Sequence, residues 1–191
     1  RANSNRSRRQ ANEAGALPGN RLSLATGSVV FEARIGADQP AFVRQHRVQD
    51  RIILPGTAYL AALATVGRLL RPHSPCVVKD ISIVEAMLIE DDGRTRTVQT
   101  ILDPDGQDAF HVRILSRDSG TDGDWTLHLS GRIAIEDPAT PLTSLREAQQ
   151  VCSVPVPLDE LYARFAALGL EFGSSFRTIR SLASGSSQAL G

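Results

Sequence analysis

Lysine is almost absent from this sequence. Lys79 is the only one among 21 basic residues, so nearly all positive charge is carried by arginine. The 21 acidic residues cancel it and the net charge is zero. A neutral chain gives no electrostatic ground for nucleic acid or an anionic membrane as partner. Cysteine is equally scarce. Cys76 and Cys152 lie far apart, match no metal-ligand spacing, and read as two buried thiols in a reducing cytosol. No apolar run is long enough to cross a bilayer as a single helix, and no signal peptide is visible, so the expected location is cytoplasmic. No internal repeat is present, which sets aside solenoid and propeller arrays. His73, His111 and His128 are placed in a loop and on the polar sides of strands, where they face solvent; no pair has ligand spacing, so no metal is expected.

With 191 residues, 41% of them apolar, the chain is long enough for a sizeable core. Its organising stretch runs from His46 to Leu70. A histidine precedes a short apolar strand, Ile52-Ile53-Leu54. Pro55-Gly56-Thr57 then stops the strand and starts a helix, since proline suits a first helical turn. The helix carries no charge from Gly56 to Gly67. A helix uncharged all round is expected to be enclosed. It reads as a central helix over about 56–70, wrapped by an antiparallel sheet: the α+β hot-dog arrangement, with His46 near the helix N-terminus.

The flanking segments supply that sheet. Val29, Phe31, Ala33 and Ile35 alternate in a run from Leu22 to Ile35 that holds one or two strands. After the helix, Val77–Leu88 is β-rich. Strands then follow over Thr95–Leu102, around Phe110-Val112-Ile114, and from Trp125 to Ile135, separated by turn signals such as Asp103-Pro104-Asp105-Gly106. Residues 1–16 read as a linker with Arg6, Arg8 and Arg9 in it. Residues 17–137 form the first domain, and 138–157 a linker rich in Pro, Ser and Thr. A short amphipathic helix over Leu158–Leu168 then precedes a strand expected over Phe176–Leu182.

The stretch around His46 resembles the N-terminal half of the dehydratase domain of modular type I polyketide synthases. That family's motif is HxxxGxxxxP. His46 and Pro55 match it at the right spacing, Gly56-Thr57-Ala58-Tyr59 continues it, and Asp50 stands where the motif has glycine. Upstream, Leu17-Pro18-Gly19-Asn20-Arg21-Leu22 is similar. Downstream, Gly169 to Arg177 resembles the family's G-x-x-YGPxFR region, with Phe172 for Tyr and Ser174 for Pro. The resemblance implies two hot-dogs in tandem, of which 17–137 is the first and 158–191 the start of the second. It further implies removal of water from a β-hydroxyacyl thioester on an acyl carrier protein. The phosphopantetheine arm belongs to that partner, so no cofactor is expected in this chain. Neighbouring synthase domains and a second copy in a homodimer are the other implied partners.

The residue types fit such chemistry. Elimination needs a base for the α-proton, and an imidazole with a pKa near ~6.5 serves at neutral pH. His46 is the candidate catalytic base. Free backbone N–H groups at a helix N-terminus can polarise the thioester carbonyl. Pro55 and Gly56 are the candidate substrate-binding residues there, and Gly173 the third, read either as a special backbone conformation beside the site or as an ordinary turn glycine. The acid for the leaving hydroxyl is, in the resemblance, an Asp of the second hot-dog. Asp50 could stand in for it, could pair with Arg47 or Arg51, or could fill the turn, since Asp tolerates positive φ. Ser174 and Ser175 lack a nucleophile-elbow context. Two other readings stay open: a dehydratase-like scaffold without activity, and the same fold with isomerase, cyclase or thioester-hydrolysing chemistry.

Overall fold

The structure is a computed structural model that describes residues 17–137 and 144–191. The arm expected over 1–16 lies outside these residues. Along the chain come β1 (Asn20–Leu22), β2 (Val29–Ile35), a 3-10 turn (Val43–Gln45), β3 (His46–Val48), β4 (Arg51–Ile53) and α1 (Gly56–Leu70). Then follow β5 (Cys76–Ile83), β6 (Leu88–Ile89), β7 (Arg96–Pro104), β8 (Ala109–Asp118) and β9 (Thr126–Ile135). After these come α2 (Leu145–Val151), β10 (Val154–Pro155), α3 (Leu158–Ala167), β11 (Leu170–Phe172), β12 (Ala183–Ser184) and β13 (Ala189–Leu190). Among the described residues, 17–44 and 51–137 make one compact unit, and 45–50 with 144–191 make another.

The first unit is an antiparallel sheet in the order β1-β2-β7-β8-β9-β5, with α1 against it. The helix starts where the sequence says it must: Pro55 is the N-cap, with no side chain capping the first turn. It buries Tyr59, Ala62, Leu63, Val66 and Gly67, the three- and four-residue spacing of one helical stripe. Tyr59, Leu63 and Val66 share a core with Ile35 and Val98, Leu102, Ile114, Leu129 and Ile133 from the sheet. Gly67 is a close-approach glycine, since a Cβ there would lie 3.1 Å from the Cβ and Sγ of Cys76. This is the expected hot-dog arrangement.

The helix is not enclosed on every side. Thr57, Leu60, Ala61 and Leu69 are exposed, Leu60 by 45% and Leu69 by 58%. The absence of charge allows burial, but the sheet reaches only one stripe. The thiols also differ from expectation: Cys152 is buried, but Cys76 only half-buried, and both are free.

In the second unit β3 pairs antiparallel with β11, setting His46 opposite Phe172. β10, β12 and β13 form a small separate sheet. Helix α3 matches the expected amphipathic helix. It ends before Gly169, whose φ of +77° suits glycine after a helix. Two expectations are corrected. The stretch read as a linker over 138–157 contains α2 and β10. The Ser144 hydroxyl accepts the Glu147 N–H, and the Glu147 carboxylate accepts the Ser144 N–H. This reciprocal cap offsets the low apolar content. The strand expected over Phe176–Leu182 is absent, and the two short strands come later. Phe176, Ile179 and Leu182 recur every third residue, which does not keep one face of a strand.

Candidate active site

His46 opens β3 and is half-buried. Its imidazole lies against two phenyl rings. The Phe172 centroid is 5.6 Å away at 43°, and the Phe176 centroid 5.4 Å away at 57°. The two phenyl rings are 6.3 Å apart, so the three rings form a triangle. Phe172 is braced in turn by Phe165 of α3, edge-on at 5.5 Å. Arg177 donates from Nε to the Phe172 carbonyl at 3.0 Å and stacks 5.0 Å over the Tyr162 ring. Tilted ring contacts of this kind favour one setting of the imidazole over others.

The turn after β3 carries the departure from the motif. Asp50 has φ of +63° and Gln49 of +49°, so the position that the motif gives to glycine is left-handed here. Aspartate occupies that region with less strain than most residues. Arg47 donates from Nη1 to the Asp50 carbonyl at 3.0 Å, which fixes the turn. Asp50 therefore fills a left-handed turn position of the kind that glycine takes most readily.

Gly173 lies in the second unit, directly after β11. Its φ is not positive, which favours the ordinary turn glycine over a special backbone conformation. It is glycine for room: a Cβ would lie 2.7 Å from Gln45 Cβ and 2.8 Å from Gln45 Oε1. Pro55 and Gly56 lie in the first unit, at the uncapped N-terminus of α1. The Ala58 N–H donates to the Pro55 carbonyl at 2.9 Å, and the N–H groups of Gly56 and Thr57 have no acceptor within the helix. A Cβ on Gly56 would meet Ile83 Cδ1 at 3.2 Å. Thus His46 and Gly173 share one unit, while Pro55 and Gly56 belong to the other.

Two family models match the chain: "Polyketide synthase dehydratase domain" over residues 16–117 and "Polyketide synthase dehydratase N-terminal domain" over 140–191. The chain belongs to the polyketide synthase dehydratase family. Polyketide synthase PksM of Bacillus subtilis is 31% identical over 156 residues, 78% of this chain and 4% of PksM. A spectinabilin polyketide synthase protein, NorA' of Streptomyces orinoci, is 27% identical over 168 residues, 86% of this chain and 4% of that protein. Among solved structures, the dehydratase domain from the CurK module of curacin polyketide synthase is 30% identical. It superposes with a TM-score of 0.83, covering 91% of this chain and 61% of that one. The CurF dehydratase domain is 28% identical with a TM-score of 0.82, covering 93% and 65%. This chain thus spans less than two thirds of the solved dehydratase domains and a few per cent of the synthases. CurK dehydratase has also been solved as inactive variants, one His→Phe and one Asp→Asn.

Among the other histidines of this dehydratase chain, His73 and His111 are exposed, as expected. His128 is not solvent-facing: it is only 2% exposed. The pairing of β8 with β9 shifts register between Ile114 and Leu115, and β9 buries His128 and Leu129 in succession. Strict alternation from Leu129 cannot anticipate that break. Among the described residues no group of three or more His, Cys, Asp or Glu could hold a metal ion. No described helix is long and apolar enough to cross a membrane.

Proposed function

We propose that this chain is part of an enzyme that removes water from a β-hydroxyacyl thioester to give an α,β-enoyl thioester, with His46 as the base. The observation that carries this reading is the imidazole at the head of β3, packed against Phe172 and Phe176. The neutral imidazole takes the α-proton, and electron density moves into the thioester carbonyl. Charge building on that oxygen calls for hydrogen-bond donors, which free backbone N–H groups at a helix N-terminus can supply. As the C–O bond breaks, the hydroxyl leaves as water after taking a proton from an acid. In this reading the acid is an Asp of the second hot-dog. The inactive His→Phe and Asp→Asn variants of CurK support a His and Asp pair. The left-handed backbone at Asp50 favours its role as a turn residue over that of the acid.

The substrate is carried on the phosphopantetheine arm of an acyl carrier protein, so this chain brings no cofactor of its own. Neighbouring synthase domains and a second copy complete the assembly. The test is conversion of a pantetheine-bound β-hydroxyacyl thioester by the complete domain, followed by loss of the mass of water. His46→Ala and His46→Phe should each fold normally and lose about 10²-fold or more in rate. Parental rates in either variant would make His46 structural. A product of unchanged mass would replace dehydration with isomerisation or cyclisation.

A further inference from the structure

We infer that Gln45, the residue before His46, is a positioning residue for the imidazole. Its side-chain carbonyl fastens the turn that carries Phe176, one of the two rings against His46. The inference rests on the reading of His46 as the base.

Gln45 holds the turn at three points. Its backbone carbonyl accepts the Gly173 N–H at 2.8 Å, continuing the β3–β11 ladder by one step. Its side-chain Oε1 accepts the Ser175 N–H at 2.8 Å and the Ser174 hydroxyl at 3.3 Å. The Ser175 N–H can only donate, so the amide must present oxygen there. The turn closes on itself through the Phe176 N–H, which donates to the Gly173 carbonyl at 2.9 Å. Gly173 leaves the space that the Gln45 side chain fills, because a Cβ at 173 would lie within 3 Å of three of its atoms.

The route from Gln45 to the imidazole is therefore short. The amide oxygen fixes the Ser175 backbone, which fixes the next residue, Phe176, whose ring lies 5.4 Å from His46. Without that acceptor the exposed turn loses the bonds from the Ser175 N–H and the Ser174 hydroxyl. The ring then shifts, and the imidazole gains rotamers that point away from the α-proton. Misplacement by about 1 Å costs up to ~10²-fold in rate without changing the chemistry available.

The experiment uses the complete dehydratase domain and a β-hydroxyacyl pantetheine thioester. Gln45→Met keeps length and removes the acceptor. It should lower kcat about tenfold or more while KM stays within about twofold. Gln45→Glu keeps an acceptor oxygen and should return kcat to within about threefold of the parent. Parental kcat in Gln45→Met, or equal damage in Gln45→Glu, overturns the inference. Should Gln45→Met fail to fold, Phe176→Leu takes its place: it removes the ring itself, and parental kcat in that variant overturns the inference equally. The His46 imidazole signals in 1H–15N spectra give a readout independent of turnover. They should shift or broaden in Gln45→Met and recover in Gln45→Glu. If His46→Ala is as active as the parent, the base assignment fails, and these spectra still decide whether Gln45 positions the ring.

Discussion

Ser116 Oγ and His128 Nε2 lie 2.7 Å apart, with both side chains buried. Their partners fix every proton between them. His128 Nδ1 is 2.9 Å from the Glu85 carbonyl, which can only accept, so Nδ1 carries the proton. Nε2 of the neutral ring then accepts from the Ser116 hydroxyl, and Ser116 Oγ accepts from Arg96 Nε at 2.8 Å. The chain of bonds runs from the guanidinium on β7, through the hydroxyl on β8, to the imidazole on β9. A charged His128 would donate to Ser116 Oγ instead, and the hydroxyl proton would then need another acceptor.

Burial depresses the His128 pKa; the bond to the Glu85 carbonyl opposes it, and the charge of nearby Arg96 adds a smaller lowering. The unfolded chain takes up the proton first as pH falls. Stability contributed by the neutral ring is complete above the unfolded value of ~6.5 and declines as pH drops below it. Thermal midpoints at pH 7.5 and 5.5 should fall apart in the parent and less so in His128→Gln. At pH 7.5 that variant should cost about 1–3 kcal/mol. Parallel pH profiles for the two proteins would remove His128 as the source.

Leu63 is completely buried and Leu60 is 45% exposed on the same helix. Leu63→Ala should cost ~2–5 kcal/mol, as core truncations do. Leu60→Ala in this same chain should stay within about 0.5 kcal/mol. Urea unfolding of the two variants side by side measures the difference, and equal costs would contradict the one-sided burial of α1.

Asp50→Gly should leave dehydration by the complete domain within several-fold of the parent, because glycine adopts the same left-handed backbone. Asp50→Val should be less stable by ~1–2 kcal/mol, since a β-branched residue pays the full steric cost there. Collapse of activity in Asp50→Gly with normal folding would make the carboxylate a catalytic partner.

Residues 1–191 by themselves should not dehydrate the thioester, since the proposed acid belongs to the second hot-dog. Turnover by this piece at the rate of the complete domain would show that its own residues supply both proton transfers.

Local signals placed much of this molecule. Pro55-Gly56 and the uncharged run after them located α1 to the residue, and turn residues such as Gly106 separated β7 from β8. The Ser144-Leu145-Arg146-Glu147 cap was also present in the sequence, and it marks α2 inside what composition alone makes a linker. What stayed hidden was set by distant chain. The β8–β9 register shift turned His128 inward. The bond from Ser175 to Gln45 joins residues 130 apart in sequence. No periodicity near His46 reveals that Phe172 and Phe176 close on it.

Strand β3 comes from the first quarter of the chain, yet its partner β11 lies far downstream. That pairing closes a loop of well over a hundred residues, whose entropy must be lost before the contact forms. It also restricts where the gene can be cut. A piece beginning after residue 143 keeps α3 and β11 but loses β3, the strand paired with β11 among the described residues of that unit. The bare β11 edge would then be open to pairing with other copies. Swaps between synthases made at that boundary would separate His46 from both phenyl rings that contact it. Exchanges that carry residues 45–50 and 144–191 together preserve the set.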